Sequence, residues 1–178
     1  GGPGVVGSAD YDNGEFTISG SGMGVAEFRT SDQYHFVYQQ RSDDFVFVAR
    51  LTGMTEPDNG AKVGLMVRDS LDLDSSYAML AMEPYQSSDP SKRIFMHMVR
   101  KHSGIGEMTR QMVEYRGGYP RWFKVERKGK LVGAFVSENG TDWLHLFGET
   151  LNDVGQTVYA GIAVTARTNS DVCTATFD

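Results

Sequence analysis

The chain has 178 residues, of which 40% are hydrophobic and 22% are charged, and its formal net charge at pH 7 is −6. A chain of this length can bury one sizeable core, so we predict a single domain over residues 1–178, with residues 1–4 as a linker. Because the chain is acidic and its Lys and Arg residues are scattered, we expect no binding to nucleic acid. No apolar run approaches the roughly 18 residues of a membrane span, so we expect no membrane insertion.

The glycine content favours an all-β protein. Glycine occupies 21 positions, which exceeds the usual roughly 7%, and long helix-favouring stretches of Ala, Glu, Lys and Leu are missing. Alternating apolar and polar segments recur with turn residues between them, and about twelve candidate strands can be counted in this way. The clearest of these segments are residues 34–39, 44–51, 61–68, 77–82, 93–100, 122–127, 131–137 and 157–165.

Three short turns join candidate strands. Asn13-Gly14 and Asn139-Gly140 each lie between apolar segments, and each pair can supply the positive φ values of a type I′ turn. Gly129 lies in a third short turn. Hairpins of this kind are typical of an antiparallel sandwich rather than of a parallel sheet.

Cys173 is the single cysteine, so no disulfide can form within the chain. It lies in an alternating segment, where we expect a small buried core residue rather than a reactive thiol. The glycine-rich residues 1–4 and the strand-like residues 174–178 suggest a piece cut from a longer protein. We therefore expect neighbouring domains of the same chain among its partners.

Five segments, in order along the chain, resemble a repeated bacterial extracellular domain of the concanavalin A-like (laminin G-like) kind. The resemblance runs nearly end to end and implies an all-β fold, a two-sheet antiparallel β-sandwich or jelly roll. The segments are YDNGEFTISGSG at 11–22, DQYHFVY at 32–38, AKVGLMVRDS at 61–70, SENGTDW at 137–143 and VYAGIAVT at 158–165.

Domains of this family occur beside glycoside hydrolases, fibronectin-type modules and adhesin repeats in large secreted proteins, and they are usually thought of as carbohydrate-binding or adhesive. The resemblance therefore implies an extracellular or cell-surface location and a glycan or cell-surface polysaccharide as partner. Two segments depart from the family pattern, because residues 83–92 are long and polar and residues 101–118 are charged. A ligand site located there would be changed in this chain.

Trp122 is a candidate for stacking on a sugar ring. Sugar binding needs a flat apolar surface for the pyranose and planar polar groups for its hydroxyls. Alternation places Phe123 and Val125 on one face of their strand and Trp122 on the other, more polar face. The alternative is that a neighbouring loop partly covers the Trp122 ring.

Arg68 and Met66 are candidates for the base of a ligand groove on a concave sheet. Alternation directs Val63 and Leu65 toward the core, and Gly64, Met66 and Arg68 to the opposite face. Gly64 would allow a close approach to the backbone. The alternative is that Arg68 pairs with Asp69, Glu83 or another carboxylate across the sheet.

His97 lies in a strand flanked by methionines, and Tyr77 and Met79 alternate along a neighbouring candidate strand. We predict that His97 lines the groove and that Tyr77 and Met66 form its floor. A Met-rich sheet face can be an adaptable binding surface, and the alternative is that it belongs to the core.

No metal site of the zinc type is indicated, because the four histidines are far apart in sequence and no His or Cys pairs at ligand spacing are present. Asp69, Asp72 and Asp74 are weak calcium candidates, since loop carboxylates often bind calcium in sandwiches. They do not match an EF-hand loop, and a solvated acidic loop is the favoured interpretation. We therefore expect no cofactor, with calcium as a possibility.

Catalysis is the rival interpretation. Glucanases of this fold carry a Glu-x-Asp-x-Glu or Glu-x-Asp-x-x-Glu run along one strand, because acid and nucleophile must project from the same face. No such run is present, and the nearest spacing, Glu56-Pro57-Asp58, reads as a turn. The sequence therefore predicts a non-catalytic, glycan-binding or adhesive module. A structural spacer, a protein-binding adhesin domain and a glycan-active enzyme remain the alternatives.

Overall fold

The computed structural model describes residues 4–25, 32–84, 92–100, 108–116, 118–119 and 121–178, and only the backbone of residues 92, 93, 96, 97 and 108–116. This part of the chain contains thirteen β-strands, and none of it forms a helix long and apolar enough to cross a membrane. The strands are β1 (Ser8–Asp12), β2 (Glu15–Gly22), β3 (His35–Arg41), β4 (Phe45–Met54), β5 (Lys62–Arg68), β6 (Tyr77–Pro84), β7 (Lys92–Arg100), β8 (Met108–Arg116), β9 (Arg121–Lys128), β10 (Leu131–Ser137), β11 (Leu144–Thr150), β12 (Val158–Thr165) and β13 (Thr168–Phe177).

The strands form two sheets that pack on each other. The seven-stranded sheet has the order β1-β2-β13-β4-β9-β10-β11, and the six-stranded sheet has the order β3-β12-β5-β6-β7-β8. Every pair of neighbouring strands in the two sheets is antiparallel. The predicted all-β, two-sheet antiparallel β-sandwich is therefore confirmed.

The main hydrophobic core lies between the sheets. Val63 and Leu65 of β5 and Phe123 and Val125 of β9 are buried in this core, so the faces predicted from alternation are confirmed for both strands. The rings of Phe95 and Phe123 meet edge to face across the core, with their centroids 5.5 Å apart. Aromatic contacts of this geometry contribute about 0.5–1.5 kcal/mol beyond the buried area.

The first predicted hairpin turn is confirmed. Asp12 pairs with Glu15, and the two residues between them have the positive φ values that a type I′ turn needs, 50° for Asn13 and 94° for Gly14. Gly129 also has a positive φ, 58°, in the short turn between β9 and β10.

The type I′ turn predicted at Asn139-Gly140 is wrong. The loop between β10 and β11 spans residues 138–143, and within this loop only Gly140 has a positive φ, 77°. The Asn139 side chain organises the loop instead, because its Oδ1 accepts hydrogen bonds from the backbone N–H groups of Thr141 and Asp142 at 2.9 and 2.8 Å. Asn stabilises the turn here through its side chain rather than through its backbone.

Candidate functional site

The candidate site lies on the outer face of the six-stranded sheet, which is the face that does not contribute to the main core. Met66, Arg68 and Tyr77 lie on this face, and all three are buried. The structure therefore brings these predicted site residues together, but beneath the surface rather than as an exposed groove floor. Met66 and Tyr77 belong to a buried apolar group, called here the outer-face cluster, and Arg68 lies beside them. The cluster consists of Val25, Met66, Tyr77, Met79, Ala81, Ile94, Met98 and Ala163, with Tyr34 and Phe36 packed against it.

Tyr34 covers the Arg68 end of the outer-face cluster. Its hydroxyl donates a hydrogen bond to the sulfur of Met66 at 3.3 Å, and the Arg68 guanidinium carbon lies 5.6 Å from the centre of its ring. Tyr34 directly precedes β3, which is an edge strand, whereas Met66 and Arg68 lie in β5, two strands further into the sheet. The Tyr34 ring therefore reaches across β12 and closes this part of the face.

Asp32 lies between two buried arginines. Arg100 donates from Nη1 and Nη2 to the two Asp32 carboxylate oxygens at 3.0 and 2.9 Å, and Arg68 Nη2 lies 3.9 Å from Asp32 Oδ2. Arg68 also donates to the carbonyl oxygens of Ser70, at 2.5 Å, and Asp72. The carboxylate that Arg68 approaches is thus Asp32, which precedes the edge strand of the sheet.

Two guanidinium groups and one carboxylate give this buried group a net positive charge. Burial lowers the pKa of the Arg68 guanidinium below its ordinary value, the Asp32 carboxylate opposes this effect, and the Arg100 guanidinium adds to it. Arg100 also donates to the carbonyl oxygens of Leu73 and Ser75, at 3.3 and 3.2 Å. The group therefore fixes the loop between β5 and β6, and the segment before β3, to the outer face.

An aromatic row runs along the edge strand β3 on the outer face and ends on the neighbouring strand β12. It consists of Tyr34, Phe36, Tyr38 and Tyr159, whose successive ring centroids are 6.0, 5.3 and 5.2 Å apart. Tyr38 is 42% exposed, and the other three rings are partly buried. At the far end, the Gln40 amide nitrogen donates to the Tyr159 hydroxyl at 2.8 Å. The row offers aromatic surface for stacking together with an amide and a hydroxyl for polar contacts.

Most of the aromatic row could have been found in the sequence. Tyr34, Phe36 and Tyr38 are spaced by two, and this spacing places them on one face of an extended strand. Tyr159 carries no such local signal, because it joins the row only through the pairing of β12 with β3, in which it lies opposite Gln40.

Trp122 lies on the other sheet, so the structure does not bring it together with Arg68. It belongs to β9 of the seven-stranded sheet and is partly buried. A Cβ added at Gly140 would lie 2.9 Å from its ring, and the Arg50 guanidinium carbon lies 5.5 Å from the ring centre. The arrangement matches the alternative in which a loop, here the one between β10 and β11, partly covers Trp122.

The role predicted for His97 stays a prediction. Its backbone pairs with Leu80 in the six-stranded sheet, and its side chain is outside the described part of the chain. In the residues whose side chains are described, no three His, Cys, Asp or Glu groups could hold a metal ion together. The weak calcium candidates Asp69, Asp72 and Asp74 are therefore not assembled into a site, and Asp69 Oδ1 instead accepts the Gly155 N–H at 2.6 Å.

Comparison with known proteins finds similar structures but no matching sequence family. No family model and no curated protein matches the chain. A functionally unknown protein from Saccharomyces cerevisiae has a similar fold, with 14% sequence identity and a TM-score of 0.73, over 96% of this chain and 90% of that chain.

Two further solved structures share the fold at low sequence identity. The GH43 protein BlXynB from Bacillus licheniformis is 12% identical with a TM-score of 0.67, over 92% of this chain and 31% of that chain, so this chain spans about a third of its length. LamAcat from Zobellia galactanivorans is 8% identical with a TM-score of 0.54, over 95% of this chain and 77% of that chain. These likenesses show that the chain has a β-sandwich fold that also occurs in glycoside hydrolase chains, and they show the fold alone.

Proposed function

We propose that this domain is a non-catalytic glycan-binding module that binds its ligand through the aromatic row. The observation that carries the proposal is the row itself, in which neighbouring rings lie 5.2 to 6.0 Å apart and Tyr38, on the edge strand β3, is exposed on the outer face of the sheet. Exposed aromatic rings with polar tips suit the mixed apolar and polar surface of a sugar chain. Gln40 and the Tyr159 hydroxyl would bind the sugar hydroxyls at one end.

The buried candidates have a supporting role in this proposal. Met66 and Arg68 hold the Tyr34 ring through the hydroxyl–sulfur contact and the cation–π contact. Tyr77 is fully buried, and the centre of its ring lies 5.0 Å from the Arg100 guanidinium carbon. A rigid support of this kind lowers the entropy that is lost when a ligand binds.

The proposal that the domain is non-catalytic is supported by the sequence positions and ion pairs of its carboxylate side chains. The sequence lacks the paired-carboxylate run of glucanases, in which one carboxyl group acts as acid and the other as nucleophile. On the outer face, Asp32 is bound by Arg100, and Glu83 forms an ion pair with Lys62 at 2.7 Å. Carboxylates held in this way are poorly suited to proton transfer and attack on a sugar.

We also propose that the domain works outside the cell as part of a larger protein, with neighbouring domains among its partners. The support is the family resemblance of the sequence and the GH43 neighbours, in which the matched sandwich is about a third (31–32%) of a longer chain.

A glycan array with and without calcium tests the proposal, using the wild-type protein and three folded single variants. Tyr38→Ala should lower affinity by at least about tenfold, the loss expected when a central aromatic contact is truncated. Tyr11→Ala is the matched control, because Tyr11 is an exposed tyrosine on the other sheet. Trp122→Ala tests the seven-stranded sheet separately.

Loss of binding in Tyr38→Ala alone would support the aromatic row as the site. Loss in Trp122→Ala alone would move the site to the seven-stranded sheet. If the wild-type protein binds no glycan in either calcium condition, the spacer and protein-adhesion alternatives gain support instead.

A further inference from the structure

The four rings of the aromatic row do not lie in a common plane. The ring planes of Tyr34 and Phe36 meet at 79°, and those of Tyr38 and Tyr159 meet at 77°, whereas Phe36 and Tyr38 are stacked, at 29°. A sugar stacks on the face of an aromatic ring, so a flat crystalline array of polysaccharide chains needs rings that share one plane. The row therefore suits a single chain that can turn between rings.

The row also has room for more than one sugar unit. Its successive ring centroids are 5.2 to 6.0 Å apart, and a pyranose ring is similar in size to the aromatic ring on which it stacks. A monosaccharide would therefore cover one ring and leave the others in water. An oligosaccharide or a polysaccharide would use the whole row.

No unpaired cation lies beside the row in the described part of the chain. Strands β3, β12 and β5 place two charged side chains on the outer face, those of Lys62 and Arg68, and each residue is only 3% exposed. Lys62 is paired with Glu83 at 2.7 Å, and Arg68 donates to two carbonyl oxygens. Arg41, at the end of β3, is held by the Asp43 carboxylate. The anionic groups of an acidic glycan would therefore lose water without gaining a partner.

Gln40 and Tyr159 form the polar end of the row. The Gln40 amide nitrogen donates to the Tyr159 hydroxyl oxygen at 2.8 Å, and within the described residues this is the only side-chain hydrogen bond of the pair. The hydroxyl hydrogen of Tyr159 remains as a donor, and the carbonyl oxygen of Gln40 remains as an acceptor. A sugar hydroxyl can bind both, because it donates and accepts, whereas a carboxylate only accepts and would leave the Gln40 oxygen without a donor.

We propose that the ligand of the aromatic row is a single, uncharged polysaccharide chain. This inference rests on the proposed function, because it names the class of glycan that the same site binds. One sugar unit stacks on the exposed ring of Tyr38, and a hydroxyl of a neighbouring unit bonds to Gln40 and Tyr159. A crystalline surface does not fit the inclined rings, and an acidic chain gains no cation to offset the loss of its hydration.

Soluble ethers of cellulose, curdlan, starch, xylan and guar are the probes, because each backbone can carry either uncharged hydroxyethyl groups or charged carboxymethyl groups of similar size. Affinities are measured by isothermal titration calorimetry from about 0.01 to 1 M salt, over which the Debye length falls from about 30 to 3 Å. At the highest salt, repulsion by the net charge of −6 is screened. The bound backbone should still bind at least about tenfold more tightly as its hydroxyethyl ether than as its carboxymethyl ether.

Gln40→Lys tests the source of this preference. It replaces the acceptor beside Tyr159 with a cation, so at low salt it should lower the affinity ratio of hydroxyethyl to carboxymethyl ether by at least about threefold. Gln39→Lys is the matched control, because it adds the same charge to the next residue, which is exposed and lies on the opposite face of β3. It should leave the ratio unchanged.

Tyr38→Ala separates failure of this inference from failure of the proposed function. Tighter or equal binding of a carboxymethyl ether at high salt, lost in Tyr38→Ala, would overturn the uncharged ligand and leave the aromatic row as a glycan site. Equal affinity for the crystalline form of the bound polysaccharide, measured by depletion from solution, would likewise overturn the single chain. Binding of no ether, or binding that is unchanged in Tyr38→Ala, would overturn the proposed function and this inference with it.

Discussion

The guanidinium of Arg100 binds the carboxylate of Asp32 through both Nη atoms, at 3.0 and 2.9 Å, and both side chains are buried. A second bidentate pair joins Arg41 and Asp43 at the surface, where Arg41 donates from Nε and Nη2 at 3.0 and 2.7 Å. Removal of one partner costs more free energy in the buried pair than in the exposed pair, because a buried charge that loses its partner cannot be solvated by water.

Asp32→Asn should therefore destabilise the protein strongly. It removes the carboxylate that lies between the buried Arg100 and Arg68 guanidinium groups, at a cost of about 3–5 kcal/mol. A natural domain has a total stability of about 5–15 kcal/mol, so this loss is easily measured by urea unfolding followed by tryptophan fluorescence.

Asp43→Asn is the matched control, since it removes the carboxylate of the exposed pair with Arg41, which is screened by solvent. Its unfolding midpoint should stay close to that of the wild-type protein. Equal midpoints for Asp32→Asn and Asp43→Asn would show that the buried pair does not contribute to stability.

Gly64→Ala should also destabilise the fold. A Cβ added at Gly64 would overlap the carbonyl oxygen of Leu80 and crowd the Cα of Ala81, on the neighbouring strand. Overpacking of this kind costs about 1–3 kcal/mol or more when backbone has to move. Gly53→Ala is the control, because a Cβ there would meet only the Thr176 hydroxyl, at 3.5 Å. Thermal unfolding should show a lower Tm for Gly64→Ala than for Gly53→Ala, and the reverse order would contradict the crowding.

The close approach of backbone at Gly64 was predictable from the sequence, because glycine in a strand interior often marks such a place. The faces of β5 and β9 were predictable as well, since period-two alternation separates core from exterior. Alternation does not show which sheet a strand joins. Trp122 and Arg68 therefore looked like neighbours, although β9 pairs with β4 and β5 pairs with β6 and β12.

Contacts between distant segments were also beyond local patterns. Asp32 meets Arg100 across 68 positions of sequence, and the sequence near either residue carries no sign of the other. The burial of the outer-face cluster also carries no local signal in the sequence. The residues that were expected to form an exposed groove floor form a second core instead. The loop at Asn139 shows a different limit, because an Asn-Gly pair suits either a two-residue turn or a longer loop held by the Asn side chain.

The stability of the protein should depend on His35 below pH 6.5. Burial lowers the pKa of the His35 imidazole below its ordinary value of 6.5, and the ring packs against Gly7, where an added Cβ would overlap it. Between the lowered pKa and 6.5, the unfolded chain binds more protons than the folded protein, so the free energy of unfolding rises with pH in this window. The contribution of neutral His35 to the free energy of unfolding is fully present above pH 6.5 and is lost as the pH falls through the lowered pKa.

Comparison of the wild-type protein with His35→Gln isolates this effect from the titration of carboxylates. Urea unfolding at several pH values on both sides of 6.5 should give stability curves that converge as pH falls below 6.5, because only the wild-type protein loses the His35 contribution. Curves that stay parallel over the whole range would show that the His35 pKa is the same in the folded and unfolded states.

Cys173 should be inert in the folded protein. It is fully buried in the main core, as the sequence predicted, and burial raises the pKa of its thiol to about 12. Because the thiolate is the nucleophile, labelling by Ellman's reagent at neutral pH should be negligible in buffer and complete in denaturant. Tyr11→Cys in a Cys173→Ala background supplies an exposed thiol on the same sheet, which should react rapidly. Rapid labelling of native Cys173 would instead mean that β13 separates locally from β2 and β4 without global unfolding, since the labelling rate reports the opening of the strand.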